Sequence, residues 1–532
     1  MTASQRKVET MRQKRDRQTR DQRIERRISA ASSIAMCVLT VLAQIVVTLL
    51  LTRLLKQYVS LAYFMLELLG VGMAIGVFLR SGSPSYKLSW MTLLLVLPVS
   101  GMLLFCLWGG IHQAKTLSLK RVPPPAEREG ARRQSAVNAA RLAKKDAGMG
   151  RVAAFLQKRD FLLYQNTKAR YFGDGASFFD DLIDRIQHAE TYVFLEYFII
   201  AEGQIWDRIF AALRERAAAG VEIHIIFDDF GNLTRFSDET LQTIQDAGIG
   251  IQTFNPVHRY VNRIYFNYRD HRKIAVIDGY WAYTGGINLA DEYANLFERF
   301  GYWRDSAVCI EGDGAWGLAA QFIQMWEMMG GTLPNEDDYY RARRDGPPSG
   351  GYCQVLTDGP LNNPENPVED TFLQMINAAT RFLYITTPYY AVEAAMQRAL
   401  CIAADSGVDV RLMVPAVPDK KYAYMVAETY WGELMCHGVK IYKYTPGFVH
   451  NKSILVDRKM ALIGSTNMDY RSFQLHFECA ELFYDMPVVE DLLEDMDDIM
   501  AQSALYTMEE WMRRPWYRRA FASVLKLGAI WL

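Results

Sequence analysis

A motif that occurs twice constrains this 532-residue chain more than any other feature. The pattern HxKxxxxD is formed first by His271, Lys273 and Asp278 and again by His450, Lys452 and Asp457. The copies are 179 residues apart, and an asparagine, Asn288 or Asn467, follows each histidine by 17 residues. One chance match in this length has odds of about one in fifty, and two are far rarer. The duplication therefore predicts two related α/β units.

The spacing inside each copy is that of a strand. Residues i and i+2 of a strand share a face, so the histidine and lysine of each copy are predicted to serve one site. The apolar run that follows is typical of a buried strand, Asp278-Gly279 of a tight turn, and residues 282–284 of the returning strand. We include both aspartates among the candidate catalytic residues and expect them to brace this hairpin.

Two histidines and two lysines suit phosphoryl transfer. The lysines are cations for nonbridging phosphate oxygens, and Asn288 and Asn467 can donate further hydrogen bonds. One histidine can attack phosphorus while the other protonates the leaving alkoxide and then activates the incoming alcohol. The pattern does not assign these two roles. Since no cluster of His, Cys, Asp and Glu has metal-ligand spacing, we predict a site with no metal or other cofactor.

The N-terminal part of the chain is rich in apolar segments. Within the predicted transmembrane region, 28–112, the three hydrophobic segments are 28–52, 57–79 and 88–112. The first has 25 uncharged residues, enough at about 1.5 Å per residue to cross a hydrocarbon layer of about 30 Å. We therefore expect a multi-pass anchor in the cell membrane.

Charge is distributed unevenly along the chain. The tail 1–27 has a net charge of +6 and residues 113–151 of +7, whereas the chain from residue 152 onward has −17. The acidic body disfavours nucleic acid as a partner, and anionic membrane lipid should attract the basic segments. Because both basic segments, 1–27 and 113–151, carry an excess of Lys and Arg, the positive-inside rule does not determine the orientation of the anchor. Seven cysteines without a CxxC pair suit a reducing compartment, so we expect cytoplasmic catalytic domains.

Composition also predicts the remaining segments. They are a basic juxtamembrane linker at 113–155, a first α/β domain at 156–336, a Gly/Pro-rich inter-domain loop at 337–351, a second α/β domain at 352–505 and an amphipathic C-terminal segment at 506–532. The last combines arginines with aromatic residues, which is compatible both with a membrane interface and with packing on the catalytic body.

With these motifs the chain resembles the phospholipase D superfamily and, from about residue 58 onward, its bacterial cardiolipin synthases. The supporting stretches are residues 194–198, 302–305, 387–390 and 464–473. His476 departs from the family, which usually has asparagine there. The resemblance implies N-terminal transmembrane helices followed by two pseudo-symmetric phospholipase D-like α/β sandwich domains that share one active site. It further implies that an acidic residue on a later strand orients each histidine; Glu478 matches this position, and Asp305 is its counterpart in the first half.

The implied activity transfers a phosphatidyl group from one phosphatidylglycerol to another, giving cardiolipin and glycerol through a phosphohistidine. A hydrolytic phospholipase D, or a transferase that uses another alcohol, has the same motifs and stays open. The apolar segments and the acidic body disfavour a nuclease, and a noncatalytic membrane scaffold would tolerate loss of either histidine. The sequence does not determine the acceptor or the oligomeric state, and a homo-oligomer is an open alternative.

Overall fold

A computed structural model describes residues 58–80, 83–109, 128–256, 268–333, 338–340, 346–347, 349–360 and 366–529, with isolated positions between 42 and 53. The predicted tail 1–27, nearly all of the predicted segment 28–52 and parts of the predicted linker and inter-domain loop lie outside the described residues.

The described helices are α1 Val59–Phe78, α2 Pro84–Val96, α3 Pro98–Trp108, α4 Arg128–Lys145, α5 Ala147–Gln157, α6 Gly175–Gln187, α7 Gln204–Ala218, α8 Asp229–Asn232, α9 Asp238–Asp246, α10 Ala315–Met328, α11 Pro367–Ala378, α12 Ala394–Asp405, α13 Lys421–Cys436, α14 Tyr470–Gln474, α15 Val488–Ala501, α16 Met508–Met512 and α17 Trp516–Lys526, with a 3₁₀ turn at Asp291–Ala294. The strands are β1 Thr167–Phe172, β2 Tyr192–Tyr197, β3 Glu222–Asp228, β4 Gly250–Phe254, β5 Arg269–Asp270, β6 Lys273–Ile277, β7 Trp281–Gly285, β8 Tyr302–Arg304, β9 Ala307–Gly312, β10 Tyr352–Asp358, β11 Phe382–Thr386, β12 Tyr390–Ala391, β13 Asp409–Pro415, β14 Lys440–Tyr444, β15 Gly447–Val449, β16 Ser453–Val456, β17 Met460–Gly464, β18 Met468–Asp469, β19 His476–Tyr484 and β20 Ser503–Tyr506.

The duplication of the sequence is a duplication of sheet topology. The first sheet has the order β1-β9-β7-β6-β2-β3-β4, and the second has β10-β19-β17-β16-β11-β13-β14-β20. In the order given, the first seven strands of the second sheet correspond one by one to the seven strands of the first sheet. Within these two sets of seven, the parallel pairs are β2-β3 and β3-β4 in the first sheet and β11-β13 and β13-β14 in the second. The predicted hairpin after each HxK is present as β6-β7 and β16-β17.

Three apolar cores hold these layers together. One lies between the two sheets and includes α10 and α15, a second covers the outer face of the first sheet with α6 and α7, and a third covers the second sheet with α11, α12 and α13. The inner strands of both sheets, β6 and β16, are buried along their whole length. This explains their continuous apolar sequence, since both faces of each sheet are covered.

The N-terminal helices differ from the expected set of spans. Among the described residues, one helix, over Ser60–Phe78, is long and apolar enough to cross a membrane. The segment 88–112 is not one helix, because α2 ends at Val96 and α3 begins at Pro98. Proline has no N–H to donate to the carbonyl of Leu94, so the α-helical hydrogen bonding is interrupted there. The two pieces are about 20 and 16 Å long, each shorter than a hydrocarbon layer.

The expected linker at 113–155 also differs from what the structure describes. Residues from 128 onward form α4 and α5, and side chains of both helices enter the core of the second half. Leu142, Val152 and Leu156 are completely buried there. The buried face of these helices carries the larger apolar side chains, while Arg132, Arg133, Arg141, Lys144, Lys145 and Arg151 are exposed.

Candidate active site

Two short strands exchanged between the halves deliver the histidines. β5, directly before His271, pairs in parallel with β19 of the second half, and β15, directly before His450, pairs in parallel with β8 of the first half. The backbone N–H of His271 donates to the carbonyl of Phe477 at 2.9 Å, and that of His450 donates to Arg304 at 2.7 Å. The residue that follows each of these acceptors is acidic, so His271 lies beside Glu478 and His450 lies beside Asp305.

Each histidine pairs with the carboxylate of the opposite half. His271 Nδ1 lies 2.9 Å from Glu478 Oε1, and His450 Nδ1 lies 2.6 Å from Asp305 Oδ2. Burial raises the pKa of Glu478 well above its usual value, although Lys273 opposes the shift. In its ionised form a carboxylate only accepts hydrogen bonds, so Nδ1 of the paired ring carries the proton. Nε2 is then the nitrogen available for chemistry. The acids implied by the resemblance are therefore in contact with the histidines, and the contacts cross between the halves.

The two lysines are buried cations beside the histidines. The ammonium of Lys273 donates to the carbonyl of His271, and that of Lys452 donates to the carbonyl of His450. Burial lowers the pKa of Lys273 to about 8 and that of Lys452 to about 7, although Glu478 and Asp305 act in the opposite direction. An anion entering the site would restore their full charge, so the pocket is suited to a phosphate.

The two histidines and two lysines lie close enough to lower one another's pKa values across the two halves. Burial and Lys273 hold the pKa of His271 well below its usual value, and Lys452 and His450 of the other half act in the same direction. Burial and Lys452 lower the pKa of His450 to about 4, although Asp305 opposes the shift. Both rings are therefore neutral at neutral pH before a substrate binds, as a nucleophile requires.

Aromatic rings enclose the histidines. Phe198 lies 5.0 Å from the ring of His271, and Trp303 and Tyr293 lie 5.3 and 5.7 Å from that of His450. Phe198 and Trp303 fall within stretches that support the family resemblance. Tyr293 was missed by the sequence reasoning, because nothing in its immediate sequence distinguishes it from a core tyrosine. These rings exclude water from the two histidine–carboxylate pairs.

The motif aspartates lie at the far end of their strands. The carboxylate of Asp278 accepts four hydrogen bonds from Glu190, Thr191 and Tyr192. Asp457 accepts four in the same way from Thr380, Arg381 and Phe382. Each aspartate follows its lysine by five positions, which is about 16 Å along an extended strand. The aspartates therefore tie each hairpin to the start of the neighbouring strand, and their position does not allow contact with the substrate phosphate.

The two asparagines are engaged within the protein. Asn288 accepts from the N–H of Ile199 at 3.0 Å and donates to the hydroxyl of Tyr293 at 2.6 Å. Asn467 donates to the hydroxyl of Ser472 at 3.2 Å. Asn288 thus positions the ring that contacts His450. A direct hydrogen bond from either asparagine to a phosphate remains a prediction.

Further polar residues support Glu478. The hydroxyl of Ser465 donates to its carboxylate, and Ser465 occupies the position that Gly286 has in the first copy. At Gly286 a Cβ atom would lie 2.1 Å from Asp305 Oδ1, so the glycine makes room for that carboxylate. The difference between Gly286 and Ser465 at matched positions of the two copies was the available sequence signal for Ser465.

His476, the departure from the family, lies against His271 with ring centroids 5.1 Å apart. Arg471 Nε donates to His476 Nε2 at 2.8 Å, so that nitrogen is unprotonated. His271, His476 and Glu478 together have ligand atoms within 4.8 Å of one another. They fit a metal ion poorly, because Nδ1 of His271 is already engaged by Glu478 and Lys273 would repel a cation beside these groups.

Comparison with known proteins agrees with this architecture. The family model described as "Cardiolipin synthase, PLD-like domain" matches residues 182–326 and 372–500. An uncharacterized protein of Streptococcus mutans is 39% identical over 373 residues, covering 69% of this chain and 79% of that protein. Cardiolipin synthase of Halalkalibacterium halodurans is 31% identical over 462 residues, covering 86% of this chain and 91% of that enzyme.

A third relative and a solved structure extend the comparison. Cardiolipin synthase of Oceanobacillus iheyensis is 31% identical over 454 residues, covering 84% of this chain and 94% of that enzyme. The crystal structure of phosphatidylserine synthase from Haemophilus influenzae superposes with a TM-score of 0.54 at 15% identity, covering 70% of this chain and 97% of that one, which supports the fold alone. The chain belongs to the cardiolipin synthase family of phospholipase D-like proteins.

Proposed function

We propose that the protein is a cardiolipin synthase that transfers a phosphatidyl group between two phosphatidylglycerol molecules. The products are cardiolipin and glycerol. The observation that carries this proposal is the reciprocal pair of histidine–carboxylate contacts, built across the two halves beside two buried lysines. Such a site holds one phosphodiester between two imidazoles, as transfer through a covalent intermediate requires.

In the first step, Nε2 of one histidine attacks the phosphorus of the donor lipid. The bond from phosphorus to the glycerol oxygen breaks, and the other histidine, as imidazolium, gives its proton to that oxygen. Lys273 and Lys452 stabilise the charge on the nonbridging oxygens. The result is a phosphatidyl-histidine and free glycerol. Which of His271 and His450 is the nucleophile is left open by the near-symmetry of the site.

In the second step, a hydroxyl of the second phosphatidylglycerol attacks the same phosphorus. The neutral histidine that gave up its proton takes one from this hydroxyl, and the bond from phosphorus to the other histidine breaks. One phosphodiester is consumed and one is formed, so no nucleotide or metal is needed to drive the exchange. The enclosing rings of Phe198, Tyr293 and Trp303 favour transfer to a lipid alcohol over hydrolysis by restricting water.

The negative charge of the bound substrate allows one histidine to take up the proton that the first step needs. Both histidines are neutral in the empty site, because burial and the lysines lower the pKa values of His271 and His450. A bound phosphodiester anion opposes the lysine charges and raises these pKa values again. Donor binding is thus coupled to the uptake of one proton, which is held by the histidine that acts as the acid.

We further propose that the enzyme is anchored in the cell membrane with its catalytic halves on the cytoplasmic side. The apolar helix over Ser60–Phe78 and the uncharged sequence 28–52 support an anchor that crosses more than once. Gln5→Cys and Asp345→Cys, in a background without accessible thiols, would be treated with a membrane-impermeant thiol reagent on intact cells. Labelling of position 345 before lysis would overturn the orientation, and labelling of position 5 alone would place the N-terminal tail outside.

The activity is tested with the purified full-length protein and phosphatidylglycerol vesicles as the sole lipid. Mass spectrometry should detect cardiolipin and glycerol in equal amounts. Phosphatidic acid as the main product would instead identify a hydrolase, and a requirement for an added alcohol would identify another acceptor.

Single variants test the shared site. His271→Ala and His450→Ala should each nearly abolish cardiolipin formation, because each histidine takes part in both steps. His437→Ala is the matched control, since this histidine lies on the surface beside Asp405, away from the site. Near-wild-type synthesis by both single variants would refute a site built from both halves.

A further inference from the structure

The C-terminal helix α17 has two unlike faces. Ala522 and, beyond the helix, Ala529 are buried, and Leu525 packs against the core of the second half. The opposite face is apolar and open. Its exposed fractions are 78% for Trp516, 63% for Tyr517, 56% for Phe521, 63% for Val524 and 45% for Leu527. At 100° per residue these five side chains fall within one sector of the helix.

The segment is held firmly on the catalytic body. Arg514 and Arg518 both pair with Glu428, which is 95% buried at its side chain. Trp511 donates its indole N–H to the carbonyl of Glu428 at 2.7 Å and packs on Gly432, where any Cβ would collide with the indole. The exposed apolar face is therefore presented by an anchored helix.

This face is continuous with the N-terminal helices. Ser89 of α2 donates to the carbonyl of Leu527 at 2.6 Å, so the helical hairpin meets the end of α17. At the same junction, Ser85 donates to Glu393 at 3.0 Å and lies 3.0 Å from the hydroxyl of Tyr470. Helix α1, which is long and apolar enough to span a membrane, packs against α2.

We propose that α17 is a membrane-interface helix. It lies in the leaflet that α1 enters, with Trp516, Tyr517, Phe521 and Val524 at the boundary between headgroups and acyl chains. Arg513 and Arg519, both exposed, face anionic headgroups. Aromatic residues with arginines at their flank are the composition that this boundary favours.

Contact between α17 and the membrane interface would orient the active site toward its lipid substrate. Tyr470, which meets α2, directly precedes Arg471, the residue that donates to His476 beside His271. Helix α2, helix α17 and one wall of the site are thus linked within a few residues. The inference rests on the proposed membrane anchorage and not on the proposed chemistry.

Fluorescence quenching in proteoliposomes tests the position of the helix. The full-length chain, free of other accessible cysteines, would carry an environment-sensitive fluorophore at Phe521→Cys, with Asp184→Cys of α6 as the exposed control. Vesicles of phosphatidylglycerol and phosphatidylcholine would contain lipids with a nitroxide on the acyl chain. We expect strong quenching at position 521 and none at 184, whereas aqueous iodide should quench only position 184.

Two other outcomes would overturn the proposal. Quenching of position 521 by iodide would place the face in water, and protection from both quenchers would mean that protein, such as a second copy of the chain, covers it. Because the readout is independent of turnover, it would be unaffected if the enzyme proved to make a product other than cardiolipin.

Activity gives a second measurement. Phe521→Asp combined with Val524→Asp changes only exposed positions, so the fold is retained. Synthesis from phosphatidylglycerol in bilayers should fall severalfold, while synthesis from the same lipid in detergent micelles should be unchanged. Equal activity of the variant and the wild type in bilayers would contradict a role for this face in membrane contact.

Discussion

Asp305→Asn tests the crossed architecture of the site most directly. Asp305 belongs to the first half, is completely buried and lies 2.6 Å from His450 of the second half. Asparagine has nearly the same shape, so it fits the space beside Gly286. It removes the negative charge and turns a charge-assisted hydrogen bond into a neutral one. The variant therefore isolates electrostatics from packing.

The size of the effect follows from this loss of charge. Hydrogen bonds to charged groups contribute about 1.5–3 kcal/mol and neutral ones about 0.5–1.5 kcal/mol, so the transition state loses about 1–2 kcal/mol. At about 1.4 kcal/mol per factor of ten, kcat/KM should fall about 5- to 30-fold. Asp305 also raises the pKa values of His450 and Lys452. Its removal should lower both, so the loss of lysine charge should begin at lower pH than in the wild type.

The assay is the initial rate of cardiolipin formation from phosphatidylglycerol vesicles between pH 6 and 9. Asp180→Asn is the control, because it makes the same chemical change in the same half at an exposed surface pair with Arg208. The control should keep the wild-type rate and pH profile. A kcat/KM and a pH profile unchanged in Asp305→Asn would refute the conclusion that the first half supports the second half's histidine.

Three further outcomes are expected. For the wild type, KM should rise as pH increases through about 7 to 8. Without substrate, Lys452 has a pKa of about 7 and Lys273 a pKa of about 8, so over this range both lose the charge that attracts the phosphate. A KM independent of pH would contradict this. Asp457→Ala should lower the free energy of unfolding by about 2–4 kcal/mol, since it leaves several hydrogen-bond donors unpaired. Calorimetry would measure the loss, while kcat/KM per folded molecule should stay close to the wild type. His476→Asn should keep most of the activity, because the amide oxygen can accept from Arg471, and steady-state rates would show a large loss if the imidazole itself were needed.

Much of the architecture follows from the sequence alone. The repeated HxKxxxxD and the matched asparagines predicted two units of one topology, and the two sheets have that topology. Period-two alternation placed each histidine and lysine on one face, and Asp278-Gly279 marked the turn of the hairpin. Such features depend on neighbours in the chain, so local patterns are enough to predict them.

Helix packing was harder to predict. The alanine-rich stretch after residue 128 has a composition shared by solvated linkers and by closely packed helices, and only contact with the second half distinguishes the two. The apolar segment 88–112 is a different case, because Pro98 itself marks the position at which one helix ends and the next begins. Composition measures total hydrophobicity, whereas the packing of α4 and α5 depends on which surface is covered.

The pairing of groups within the site was decided by the tertiary structure. The sequence and the family resemblance pointed to Glu478 and Asp305, but not to the exchange of β5 and β15 between the halves, which carries each histidine to the other half's carboxylate. The residues of each pair are 207 and 145 positions apart. No local pattern encodes a contact at such a separation. It exists only because the two duplicated sheets pack face to face and one short strand of each half pairs with a strand of the other half.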